Sequence, residues 1–251
     1  MVSSKHNLFF KLLISGVVAF MAAGIFVSVS HYRSADANMT ASSSIPPPGM
    51  VLIPAGEFTY GSDDADADED VKPAKRSSLA AYYIDRTEVT NREYNKFDPK
   101  HEFLPGEEDL PVTGVLFDEA AAYAKWAGKR IPTDEEWEKA ARGTDGRRYP
   151  WGDVWQKERV APRKNTDHTK LVNKKLADAC RTGPSRARTV GSVKTGASPY
   201  GCLDMAGNAW EWVEGYYQGN PSQRILRGGA VGYGERACRV YNRGIEGSGS
   251  T

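Results

Sequence analysis

From residue 50 onward the chain alternates between short apolar runs and turn residues. Met50-Val-Leu-Ile-Pro54 is a continuous apolar run, and residues 56–61 alternate after it; together they predict a strand and a turn. Residues 81–85, Ala-Tyr-Tyr-Ile-Asp, predict a second short strand. Thr90 and Glu93 form a capping-box pair, in which the hydroxyl and the carboxylate satisfy orphan amides reciprocally. The pair opens a short helix with Tyr94 and Phe97 on its apolar face. A second helix begins at Asp118, with Ala121, Ala122, Lys125 and Trp126 at helical spacing and Gly128 as its stop. Thr133 and Glu136 are another capping box; the helix they open turns Trp137, Ala140 and Ala141 inward, and Gly143 stands at a left-handed C-terminal cap. Periodicity fades between residues 154 and 190, residues 191–199 are turn-rich, and strands are predicted at residues 223–227 and 237–241. Few helices, short strands and much coil make the fold α+β, and no internal repeat interrupts it.

The N-terminal stretch has a different pattern. Residues 12–30 carry no charge, over about the length that a bilayer-spanning helix needs. Lys5 and Lys11 precede the run, and His31 and Arg33 follow it. Two readings stand side by side: a signal peptide cleaved near residues 35–37, Ala-Asp-Ala, or a retained signal anchor. Both put the C-terminal part outside the cytoplasm, since the leading positive flank stays inside. With no cysteine in or just after the run, a lipoprotein anchor is excluded. Residues 34–48, rich in Ser, Ala and Pro, read as a stiff solvated linker. The expected organisation is a signal or anchor at 1–33, the linker at 34–48 and one domain at 49–251, exported to a periplasmic or extracellular setting and membrane-held if the segment is uncleaved.

Charge narrows the function classes. Lys and Arg total 33 against 32 Asp and Glu, a formal net charge of +1 that gives no electrostatic basis for nucleic-acid binding. The acidic run Asp63, Asp64, Asp66, Asp68, Glu69, Asp70 lacks the central glycine and terminal glutamate of a calcium loop and reads as a solvated acidic loop. The cysteines are Cys180, Cys202 and Cys238. In an oxidising compartment a Cys180–Cys202 disulfide is expected, closing a loop of about twenty residues and stabilising by about 3 kcal/mol.

An ordered series of motifs then identifies a family. Met50-Val-Leu-Ile-Pro-Ala-Gly-Glu-Phe58, Tyr83-Ile-Asp-Arg-Thr-Glu-Val-Thr-Asn-Arg-Glu-Tyr94 and Pro111-Val-Thr113 come first. Gly128-Lys-Arg-Ile-Pro-Thr-Asp-Glu-Glu-Trp-Glu-Lys-Ala-Ala-Arg-Gly143, Tyr149-Pro-Trp-Gly-Asp153, Gly207-Asn-Ala-Trp-Glu-Trp212 and Arg227-Gly-Gly229 follow in order. The chain resembles the formylglycine-generating enzyme (sulfatase-modifying factor) family over roughly residues 49–243. The resemblance implies an irregular α+β fold related to C-type lectins. It also implies oxidation of a sulfatase cysteine by oxygen on copper(I) held by two cysteines, a soft ion that suits thiolates.

Residue by residue, that implication is incomplete. Cys238 falls on the second copper cysteine, Tyr233 stands where the first belongs, and Ala230 replaces the family's serine. A phenol is a poor copper(I) ligand. Cys238 is therefore at once the candidate catalytic residue and a small buried side chain on a strand. Relatives that use iron hold it with histidines, whereas here only His101 and His168 lie inside the domain. The family's structural calcium carries over better, to the Asp204 carboxylate, the Gly207 and Ala209 carbonyls and the Glu211 carboxylate, a hard-oxygen set. A second family calcium site, matching residues 160–178, is not assigned because Lys164, Lys170, Lys174 and Lys175 fill that stretch. After Arg243 the family's closing strand is missing from the pattern, so an exposed sheet edge is expected. Two functions remain open: an exported oxidoreductase acting on a peptide or small thiol, and a non-catalytic, calcium-stabilised module binding a protein, peptide or small-molecule ligand.

Overall fold

A computed structural model describes residues 29–30, 45–160 and 187–247. Three small antiparallel sheets and three short helices make up this part of the chain. The first sheet has the order β1 (Val29–Ser30), β5 (Tyr82–Asp85), β2 (Met50–Ile53), so two residues from the end of the N-terminal apolar run pair with Ile84 and Tyr83. The rest of that run and residues 31–44 lie outside the described residues, and no described helix is long and apolar enough to cross a membrane. The second sheet is the hairpin β3 (Gly56–Tyr60) with β4 (Lys75–Leu79), and the third has the order β6 (Glu211–Tyr216), β7 (Gln223–Arg227), β8 (Gly244–Gly247).

The helices form where capping chemistry places them. Thr90 caps α1 (Asn91–Phe97) and Thr133 caps α3 (Asp134–Arg142), each as a full capping box. Gly143 ends α3 with φ 73°. Trp137, Ala140 and Ala141 are fully buried, as the spacing predicts. α2 (Phe117–Trp126) starts one residue before Asp118 and buries Phe117, Ala120, Tyr123 and Ala124; Trp126 is half exposed rather than central.

The β6–β7 ladder divides the interior. Side chains alternate across a strand with period two. Trp212 and its partner Leu226 therefore join the cluster of Tyr94, Phe117 and Tyr123 on one face. Val213 and Ile225 join Trp137, Met205, Ile53 and Val240 on the other. Two adjacent apolar residues facing opposite cores give no polar alternation, which is why β6 is not visible as a strand in the sequence.

Three expectations are corrected. The acidic loop is not simply solvated: Asp64 pairs with Arg148 and accepts from the Tyr241 hydroxyl, Asp66 pairs with Arg239, Asp68 with Arg236 and Asp70 with Arg243. Residues 237–241 are not a strand; a 3-10 turn, Glu235–Cys238, occupies the segment, packed so closely on Gly229 that a Cβ there would lie 3.0 Å from the Ala237 carbonyl oxygen. Residues 244–247, where no strand was expected after Arg243, pair with β7 as β8, and Gly244 there leaves room for the Trp210 ring.

Candidate metal centre and the cysteine loop

The candidate calcium residues lie on the loop that runs into β6. Its position is set by main-chain bonds: Leu203 N–H donates to the Arg86 carbonyl at 2.7 Å, and Gly207 N–H donates to the Gly228 carbonyl at 2.7 Å. The first bond lays the loop along the segment between β5 and α1, which carries Glu88. The second lays it along the Gly228–Gly229 turn after β7. Asp204 and Asn208 both adopt positive φ, 59° and 66°, a conformation that short polar side chains tolerate. The Asn208 side chain answers by bonding main-chain groups of Arg188 on both its amide atoms.

Three buried carboxyl groups gather here: Asp204, Glu211 and Glu88. Glu211 accepts from the Trp137 indole N–H at 2.8 Å through Oε2, while its Oε1 has no hydrogen-bond partner. Asp204 accepts from Gly191 N–H. Neither oxygen of Glu88 accepts from an N–H or hydroxyl donor, and the side chain it meets is the Asp204 carboxyl. Burial pushes the Glu211 carboxyl up to about 8; the Trp137 bond opposes that rise and the charge of Asp204 adds to it. Burial raises Asp204, against the Gly191 amide, a side-chain hydrogen bond with Glu88 and the charge of the exposed Lys194 ammonium. Burial, then Asp204, then Glu211 push Glu88 well above the ordinary carboxylate range. An isolated buried carboxylate is costly unless it is paired or binds a cation.

The geometry fits a cation held by oxygen. A Cβ at Gly228, whose φ is +87°, would lie 3.6 Å from Glu211 Oε1 and 3.8 Å from the Ala209 carbonyl oxygen, so glycine keeps a space open between two of the candidate ligands. Among the described residues no group of three or more His, Cys, Asp or Glu side chains is arranged to hold a metal by side chains alone. A cation here would draw on the Gly207 and Ala209 carbonyls as well as on Asp204 and Glu211, the mixed donor set that calcium takes. Glu88 escaped the sequence reading. Its only signal was an acidic residue beside the apolar Val89 in a motif block.

The copper residues do not come together in this way. Tyr233 is 58% exposed and sits edge-on to Trp210, with ring centroids 5.3 Å apart. Cys238 is 2% exposed, on the 3-10 turn packed against Gly229, and burial pushes its thiol up to about 12. Thiolate is the form that binds copper(I) and attacks electrophiles. One buried neutral thiol and one exposed phenol do not fit a two-thiolate ion. Cys202 is a second free, fully buried thiol, also pushed up to about 12 by burial, packed in the Trp137 cluster. Cys180, the other half of the expected Cys180–Cys202 disulfide, lies outside the described residues, as do His168 and the lysine-rich stretch from 161 onward. His101 Nε2 lies 3.0 Å from Asn91 Oδ1, against the Tyr94 ring, in a structural setting.

Residues 35–251 match a family described as sulfatase-modifying factor enzyme 1-like domain. The formylglycine-generating enzyme of Bos taurus is 28% identical over 85% of this chain and 75% of its own length. The inactive C-alpha-formylglycine-generating enzyme 2 of Mus musculus is 27% identical over 78% of this chain and 80% of its own. Among solved structures, PvdO from Pseudomonas aeruginosa superposes with a TM-score of 0.59 at 23% identity, over 80% of this chain and 88% of that one, a likeness of fold.

Proposed function

The chain belongs to the sulfatase-modifying factor enzyme 1-like domain family, and from that premise we propose that it is a non-catalytic, calcium-stabilised binding module of the family, carried outside the cytoplasm by its N-terminal segment. The observation that carries the reading is the contrast between the two candidate sites. The oxygen-lined centre has buried, unpartnered carboxyl oxygens and a glycine-held space, whereas the copper position offers one buried thiol and an exposed tyrosine. A relative named inactive, with similar coverage, shows that loss of activity has a precedent in this family.

Asp204, Gly207, Ala209 and Glu211 would hold the calcium. Bound there, it would neutralise the buried acids and tie the β6 loop to the rest of the domain. The partner would be a protein, peptide or small-molecule ligand. An oxidoreductase acting on a peptide or small thiol is the second reading, favoured by the similarity to an active enzyme along most of the chain.

Two measurements test the proposal. Millimolar calcium should raise the melting temperature over chelator, and Glu211→Gln should shrink that rise; a saturating ligand at about a hundred times its Kd contributes roughly 3 kcal/mol. Equal melting curves with and without calcium would remove the metal from the reading. Incubation with copper and a cysteine-containing sulfatase-motif peptide should leave the peptide mass unchanged. Conversion of the peptide thiol to an aldehyde, lost in Cys238→Ala, would establish the oxidoreductase instead.

A further inference from the structure

An open cleft of about 440 Å³ lies between α1 and α2 and shares no lining residue with either candidate site. It is lined by Tyr94, Phe97 and Asp98 at the end of α1 and by Asp118, Glu119 and Ala122 in the first half of α2. Its two rings are fixed in place. Tyr94 and Phe97 meet edge-on with centroids 5.6 Å apart, and both pack on Tyr123, Tyr94 stacked at 5.6 Å and Phe97 edge-on at 5.4 Å. Phe97 also lies against Trp126, which is 50% exposed, with ring centroids 5.8 Å apart.

The rest of the lining is three acids and one alanine, with no lysine or arginine. Asp118 is exposed, and neither Asp118 nor Asp98 has an ion-pair partner among the described residues. Helix chemistry accounts for Asp118 and Glu119, which stand in the first turn of α2, where negative charge is favoured. It does not account for Asp98. That residue caps the C-terminal end of α1, where the carbonyl ends are already negative and a cation is favoured.

We propose that this cleft is a docking site for a lysine side chain on an extended segment of a partner protein. The ammonium would lie against the Tyr94 and Phe97 rings, whose faces attract cations, and among the three carboxylates. Three acids on separate side chains suit the three freely turning donors of an ammonium; the planar fork of a guanidinium suits one carboxylate held in its own plane. The partner is a macromolecule because the cleft is open. A free amine would be covered on one side only, whereas a chain adds contacts on either side of its lysine. The exposed Trp126, one helical turn beyond Ala122, and the exposed Leu116, two residues before Asp118, offer apolar surface for those contacts. The assignment rests on the binding-module reading for its purpose, and on none of the proposed calcium ligands.

The test uses the full-length chain and the peptide Ac-Leu-Lys-Leu-amide, followed by saturation-transfer NMR from the protein to the lysine methylenes. The wild type should give a saturable transfer at millimolar peptide. Acetylating the lysine, which removes its charge, should raise the Kd by about fivefold or more, and so should Asp118→Asn. Ala122→Arg puts a cation into the cleft from an exposed helix position four residues from Asp118; it should abolish the transfer while the melting temperature stays level. The arginine version of the peptide should bind more weakly than the lysine one.

No transfer on the folded wild type would overturn the assignment. Equal binding of the acetylated peptide would reduce the cleft to an apolar contact, and undiminished binding to Ala122→Arg would place the peptide elsewhere; either result overturns it. Tighter binding of the arginine peptide would overturn the choice of lysine. Oxidation of a sulfatase-motif peptide and the calcium-dependent melting shift are read separately, so the failure of either is distinguishable from the failure of this site.

Discussion

Replacing Arg227 by Met should be the most damaging single change in the third sheet. The side chain has no exposure at all. Its guanidinium donates from Nε to Asp134, from Nη2 to Glu138 at 3.0 Å, and from Nη1 to the Val240 and Asn242 carbonyls at 3.0 and 3.4 Å. Arg227→Met leaves those carbonyls without their donor and strips the partner from Oε2 of the Glu138 carboxylate, 1% exposed, whose Oε1 keeps Arg142 and the Gly61 N–H. Breaking a buried ion pair on one side costs about 3–5 kcal/mol. At a urea dependence of about 2 kcal/mol per molar, the unfolding midpoint falls by about 2 M. There is also a signature in pH. Burial alone would raise the Asp134 carboxyl, but Arg227 by charge and hydrogen bond, with Arg243 behind it, holds it down from 3.8 to about 2. A depressed acid contributes stability above its unfolded pKa and loses it as pH falls through the folded one. That contribution, about 2 kcal/mol, should fade between about pH 4 and 2 in the wild type. In the variant the acid-side slope should flatten. Urea titrations at neutral pH and near pH 3 measure both effects. A loss below about 1 kcal/mol, or an unchanged acid slope, would refute the claim that pairing with Arg227 holds this region.

Thr133→Ala removes the hydroxyl that accepts from Glu136 N–H at the start of α3 and should cost about 1 kcal/mol in chemical denaturation. Gly244→Val should displace the Trp210 ring, since a first carbon there already lies 2.9 Å from it; a loss of about 1–3 kcal/mol and a changed near-ultraviolet signal are expected. Cys202 and Cys238 should resist alkylation in the native chain at pH 8 and react in urea, because burial holds both thiols near 12 against 9.0 unperturbed. For these raised acids the stabilising difference is fully present below pH 9 and is lost as pH climbs toward 12.

What the sequence disclosed was local chemistry. The capping boxes of α1 and α3 show as pairs three residues apart, and Gly143 as a lone terminator; both motifs involve only neighbouring groups. What it hid depends on partners far along the chain. The acidic run looks like free charge until the arginines of residues 148 and 236–243 arrive to neutralise it. β8 has two glycines in four residues and weak strand propensity of its own. It forms because β7 offers a ladder and because Trp210 needs a bare backbone at residue 244. At the candidate site, Asp204 and Glu211 stood in a recognisable block, but Glu88 reaches them only through a contact between segments that the sequence separates widely.

The two halves of the candidate chemistry differ in what the fold does without them. A cysteine in the interior is a small apolar group, and Cys238 under Gly229 needs no metal or substrate to account for its place. Its neutral thiol is the form that packing favours, so its burial says nothing in support of catalysis. A buried acid is the opposite case. Each of Asp204, Glu211 and Glu88 would be easier to bury as an amide or an aliphatic side chain, and each is pushed toward protonation by its surroundings. A divalent cation among the Ala209 carbonyl, Glu211 and Asp204, as proposed, would turn that cost into binding energy, with Gly228 leaving the approach to Glu211 and Ala209 free of a side chain. The cost of burying three acids therefore favours the oxygen site over the sulfur site as the place where this chain holds a ligand.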